Sequence, residues 1–68
     1  MQTHKVDSSN LKEVSYDGQN LQVKFKNDTV YEYYDVGAEV FQNLLSAESK
    51  GRYFNEYVKK VFEWKQVK

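Results

Sequence analysis

A chain of 68 residues makes one small domain. Its ten basic and ten acidic side chains cancel to a formal charge of zero, so the totals announce neither a strongly basic nor a strongly acidic partner surface. There is no cysteine, which excludes a disulfide framework, a thiolate metal site and a thiol nucleophile, and suits a reducing cytosol. Six Tyr, four Phe and one Trp supply apolar bulk for one core. A chain this short still buries only roughly 60% of its unfolded surface, so modest stability is expected. No apolar run approaches the roughly 20 residues of a membrane span. Met1-Gln2-Thr3-His4-Lys5 also lacks the apolar stretch of a secretory signal. A cytoplasmic domain without membrane contact is expected.

Residues 1–10 are polar and aperiodic and read as a loose N-terminal arm, followed by a single domain over 11–68. From Glu13 the pattern has period 2. Val14 and Tyr16 flank Ser15, Asp17-Gly18-Gln19-Asn20 clusters turn residues, and Leu21, Val23 and Phe25 alternate with Gln22, Lys24 and Lys26. A second turn at Asn27-Asp28 leads into the β-prone run Val30-Tyr31-Glu32-Tyr33-Tyr34. The period then changes. Val40, Phe41, Leu44 and Leu45 form one stripe of a helix, Ser49 is an N-cap candidate, and Tyr53, Phe54, Tyr57, Val58 and Val61 form the stripe of a second helix. Leu44 and Phe54 are expected in the core. The alternation in Phe62-Glu63-Trp64-Lys65-Gln66-Val67 fits a short final strand better than the frayed end of the second helix.

Parity constrains the sheet register. A tight turn at Gly18-Gln19 sets Tyr16 opposite Leu21 and Val14 opposite Val23, all on one face. A three-residue turn, Asn27-Asp28-Thr29, with one residue in the left-handed region, sets Phe25 opposite Tyr31 and Val23 opposite Tyr33. Glu13, Lys24 and Glu32 then form one outer row. Leu11 breaks the parity, so a bend is expected near Lys12.

Little here points to catalysis. The one histidine, His4, lies in the arm and reads as solvated. Ser8 and Ser9 lack a neighbouring base in the sequence, and Asp17 and Asp35 read as a turn residue and a residue near a helix start. Gly18, Gly37 and Gly51 are too far apart for a phosphate loop, and no metal-ligand spacing occurs. No enzyme activity, cofactor or metal is expected. The charge distribution says more. Residues 28–48 carry Asp28, Glu32, Asp35, Glu39 and Glu48 and no base, while residues 49–68 carry Lys50, Arg52, Lys59, Lys60, Lys65 and Lys68 against two acids. Arg52, Asn55 and Lys59 lie opposite the second helix's apolar stripe. That is one footprint of nucleic-acid binding, though a solvated face laced by i,i+4 pairs such as Arg52–Glu56 and Glu56–Lys60 is the commoner origin of such a pattern. Tyr34 falls on the outer sheet face beside Gln22, an aromatic platform for a base or a protein partner.

The string Val6-x-Ser8-Ser9-x-Leu11, Tyr16-Asp17, Leu21-x-Val23-x-Phe25, Tyr31-Glu32-Tyr33, Val36, Val40-Phe41, Leu44-Leu45 and Ala47-x-Ser49-x-Gly51-x-Tyr53-Phe54-Asn55 resembles the KTSC domain. This short module is named for the C-terminus of some lysyl-tRNA synthetases. Order and spacing carry the resemblance, which runs from about Val6 to Phe62. Two departures are Asp28, where the family tends to have Gly, and Gly37, where it tends to have Pro. The family occurs as a synthetase appendage and as small stand-alone proteins, some phage-encoded. The resemblance implies RNA binding and supplies no catalytic residues to carry over.

The expectation is therefore an α+β domain, a three-stranded antiparallel meander followed by two helices packed on one face, with a short C-terminal strand. Its function is that of a non-catalytic binding module. RNA is the first candidate partner, through Lys50, Arg52, Asn55, Lys59 and Lys60, with Tyr34 stacking a base. The alternative is a protein-binding adaptor or inhibitor of phage type, acting through Glu32, Tyr34, Asp35 and Glu39 or through an exposed sheet edge.

Overall fold

The computed structural model describes residues 2–6, 8 and 10–68. In chain order the elements are β1 (Gln2–Lys5), β2 (Leu11–Tyr16), β3 (Leu21–Phe25), β4 (Val30–Tyr33), α1 (Ala38–Ser46), α2 (Lys50–Tyr57) and β5 (Trp64–Gln66). The strands form one antiparallel sheet in the order β1-β2-β3-β4-β5. The class is α+β as expected, but the sheet has five strands rather than three and a possible fourth. The expected C-terminal strand is β5, on the edge beside β4. No helix among the described residues is long and apolar enough to cross a membrane.

The extra strand is β1, where a loose arm was expected. Gln2 to Lys5 pair with Tyr16 to Glu13. These residues carry no apolar alternation because the ladder with β2, not burial, holds them. His4 is exposed yet sits opposite Val14, with its ring 5.7 Å from that of Phe41 in α1. Of the expected Ser8-Ser9 pair, Ser9 lies outside the described residues. Ser8 packs on α2: a Cβ built on Gly51 would come within 3.1 Å of the Ser8 hydroxyl oxygen. The two polar and small positions of the family string therefore face each other.

The first hairpin has the register read from the sequence, Tyr16 opposite Leu21 and Val14 opposite Val23. The Asp17 carboxylate accepts from the Gln19 and Asn20 backbone N–H groups at 2.9 and 2.7 Å, and Gly18 takes φ of +99°. The ladder shifts between Leu11 and Glu13, the bend expected near Lys12.

The second hairpin keeps the expected parity but slips by two residues, so that Leu21 faces Tyr33 and Val23 faces Tyr31. The turn is Lys26-Asn27-Asp28 rather than Asn27-Asp28-Thr29. Phe25 N–H bonds to the Thr29 carbonyl at 2.9 Å, and Asp28 N–H returns to the Phe25 carbonyl at 2.9 Å. Asp28 takes the left-handed position at φ of +68°, and its carboxylate meets Lys12 Nζ at 3.2 Å. The expected outer row is therefore broken. Glu13 does face Lys24, but Lys24 faces Val30, and Glu32 instead accepts from Gln22 at 3.2 Å.

One sheet face is polar, as the Gln22–Glu32 pair and the Thr3–Ser15 hydroxyl pair (2.9 Å) show. The other supplies Val14, Tyr16, Leu21, Val23 and Tyr33 to a core shared with Phe41, Leu44, Phe54 and Val58. Leu44 and Phe54 are buried as expected. Gly37 caps α1 with φ of −68°, the angle a proline ring imposes. Ser49 caps α2, its hydroxyl accepting from Arg52 N–H at 3.4 Å. Two residues of the expected inner stripe are outside: Tyr57 is 53% and Val61 63% exposed. The helix stops at Tyr57, so Val61 leaves the stripe, and Val58, four residues past Phe54, fills the inner position.

Candidate nucleic-acid interface

The slipped hairpin leaves Phe25 at the end of β3, beside the last turn of α2. A groove of about 540 Å³ opens there, walled by Asn10 before β2, Lys26, Asn27 and Thr29 of the hairpin, and Asn55 and Lys59 of the α2 end. Its floor is aromatic. Half-buried Phe25 stands edge-on to Tyr31 at 5.5 Å and to Phe54 at 5.6 Å, and Phe54 stands edge-on to Tyr33 at 5.3 Å. Tyr31 in turn stacks on Trp64 of β5, with rings 5.1 Å apart and 4° from parallel.

Local bonds hold the walls. Lys26 N–H donates to the Asn10 carbonyl at 2.9 Å, joining the strand entry to the hairpin. The Asn27 side-chain carbonyl accepts from Thr29 N–H at 3.1 Å, which turns the tip of the hairpin and leaves the amide NH₂ group for other partners. Among the described residues, two lysines and no carboxylate line the groove, although the chain as a whole is neutral. The carboxylates nearest in sequence are engaged: Asp28 with Lys12, and Glu56 with Arg52 at 3.5 Å. Lys12 lowers the Asp28 carboxyl below its ordinary range through their hydrogen bond and its charge. Burial, and then the neighbouring Tyr31, push the Tyr33 hydroxyl up to about 12, so it stays a neutral phenol at physiological pH.

Of the residues expected to touch nucleic acid, the structure brings Asn55 and Lys59 together in this groove and disperses the rest. Lys50 Nζ donates to the Ala47 carbonyl at 3.2 Å. Arg52 makes the expected pair with Glu56 and borders a separate shallow depression with Ser49, Tyr53 and Tyr57. Lys60 is exposed in the turn after α2 and does not line the groove. Tyr34 follows β4 on the polar side, next to Glu32 rather than Gln22, because the slip pairs Gln22 with Glu32. Partial burial first, and then the Glu32 charge, raise the Tyr34 hydroxyl.

The acids of the alternative reading sit on three separate elements. Glu32 is in β4, Glu39 opens α1, and Asp35 lies in the connection between them at φ of +56°, accepting from the Gln19 side-chain amide at 2.8 Å. Sequence pattern puts Phe25 and Tyr31 on the inward face, leaves Trp64 unplaced, and does not mark Asn10, Lys26 or Asn27 as site residues. An available signal is an aromatic at the last strand position directly before Lys-Asn, since a strand end cannot be covered on all sides. No group of His, Cys, Asp and Glu that would hold a metal occurs among the described residues.

Comparison with known proteins agrees with this fold. The model of the KTSC domain matches residues 7–62. A lysine–tRNA ligase of Nostoc punctiforme is 37% identical over 65 residues, covering 93% of this chain but only 12% of the ligase. A protein of Tsukamurella paurometabola is 44% identical over 59 residues, covering 84% of this chain and 88% of its own length. The crystal structure of a KTSC domain protein from Yersinia pestis superposes with a TM-score of 0.92 at 32% identity, covering 98% of this chain and 97% of that one. With a family match over most of its length and a structural counterpart of almost equal extent, the chain belongs to the KTSC domain family.

Proposed function

We propose that this chain is a non-catalytic module that binds single-stranded RNA in the groove between the β3–β4 hairpin and the end of α2. The observation that carries the reading is the lining itself, which among the described residues is an aromatic floor with two lysines and no carboxylate in a chain of zero net charge. Unstacked bases need aromatic faces and phosphates need cations, and unpaired RNA offers both. The match to a segment of lysine–tRNA ligases, whose names state that they act on tRNA, supports the same partner class.

Binding of a fluorescent single-stranded RNA across a salt series tests this. Phosphate contacts by Lys26 and Lys59 give a slope of about −1.4 in log K against log salt, at about −0.7 per contact. Reversal of both charges (K26E with K59E) abolishes binding and leaves the melting temperature unchanged, because both side chains are exposed. No RNA affinity at low salt, where electrostatic attraction is least screened, removes the proposal.

A protein partner is the second reading. The observation favouring it is a set of exposed apolar side chains at and around the short edge strand β5: Trp64 52%, Val67 43% and Val61 63% exposed. Here the double charge reversal has no effect, while Trp64→Ala or Val67→Ser weakens capture. Capture from a lysate also survives nuclease treatment.

A further inference from the structure

We infer that the groove is a pocket for one unpaired nucleotide, so that a free nucleoside 5′-monophosphate suffices to fill it. This rests on the RNA reading above and gives it a ligand of defined size. The groove's volume of about 540 Å³ lies within the roughly 300–1,000 Å³ of a site for one small molecule. Domains that track a strand instead occupy about 4–16 nucleotides each.

The chemistry of the walls divides as a nucleotide does. Half-buried Phe25 and Tyr31 form an aromatic floor for the face of a base, with the buried Phe54 ring supporting Phe25 from below. Three carboxamides, Asn10, Asn27 and Asn55, come to the rim from three separate elements. Each carboxamide carries both donor and acceptor groups, the complement of a base edge. Among the described residues the side-chain amides of Asn10 and Asn55 make no hydrogen bond within the protein. Lys26 on the hairpin and Lys59 beyond α2 supply positive charge, one for the phosphate of the bound nucleotide and the other for the next phosphate of a longer strand. The Lys26–Asn10 and Asn27–Thr29 bonds hold the walls in place before any ligand arrives, which lowers the cost of binding.

Trp64 provides the readout. It is the only tryptophan, and it stacks on Tyr31, which lines the groove. The intact chain is titrated in turn with AMP, GMP, CMP, UMP, inorganic phosphate and a single-stranded RNA oligomer, following Trp64 fluorescence and backbone NMR shifts. The expected result is saturable binding of the monophosphates with shifts centred on Asn27, Asn55 and Lys59. One base should be preferred by about tenfold or more, as paired hydrogen bonds to a base edge allow. N55A, at an exposed helical position that tolerates alanine, should reduce that preference without lowering the melting temperature. If the oligomer shifts the groove signals but no monophosphate saturates, the single-nucleotide pocket is wrong and the RNA reading stands. If neither binds, both fail. Equal affinity for all four bases, or for inorganic phosphate alone, overturns recognition of a base by the carboxamides.

Discussion

Phe54 joins the core to the groove, and its truncation tests both. The side chain is 2% exposed and stands edge-on to Phe25 and to Tyr33. Removing a buried phenylalanine to alanine costs about 3–5 kcal/mol in transfer and cavity terms. The two edge contacts, worth about 0.5–1.5 kcal/mol each beyond burial, put Phe54→Ala toward the upper end. A 68-residue domain at about 0.05–0.15 kcal/mol per residue has only about 3–10 kcal/mol of stability in total. At about 4–8 °C per kcal/mol for a domain of this size, the melting temperature should fall by at least about 12 °C. Circular dichroism melts and urea midpoints measure this. Phe54→Leu keeps most of the volume and should lose much less. A Phe54→Ala protein that melts with the parent would show that this side chain supports neither the core nor the groove floor, and that α2 does not pack against β3 and β4 through it.

Two further predictions concern backbone geometry and pH. Gly37→Pro should stabilise the fold by about 0.4–1 kcal/mol by restricting the unfolded chain. The native φ is already −68° and an added Cβ meets nothing within 4 Å; a lowered urea midpoint would contradict this. At Asp17, the backbone N–H groups of Asn20 and then Gln19 bond to the carboxylate and lower its pKa below 3.8. A depressed folded-state value means that the group's contribution is present above the unfolded value of 3.8 and is lost as pH falls through the folded one. Asp17→Asn, which keeps an acceptor oxygen without the charge, should weaken the dependence of the urea midpoint on pH in that acid window. An unchanged acid limb would show that the turn contributes no linkage.

Local chemistry made much of this protein legible. Side-chain parity set the inward faces of β2, β3 and β4, because a one-residue slip would have turned Leu21, Val23 and Phe25 to water. Asp17-Gly18 and the helix-period stripe of α1 announced a turn and a helix through short-range preferences, and Ser49 marked the start of α2 for the same reason. Parity does not distinguish registers that differ by two, since both bury the same residues, and the choice at the second hairpin fell to the hydrogen bonds of the Lys26-Asn27-Asp28 turn. β1 gave no apolar signal, because its pairing with β2 is carried by backbone groups that every sequence has. The groove was hidden for a related reason. Asn10, Phe25, Asn27, Asn55 and Lys59 are ordinary turn, strand and helix residues one at a time, and only the meeting of a strand entry, a hairpin end and the last turn of α2 makes them one surface.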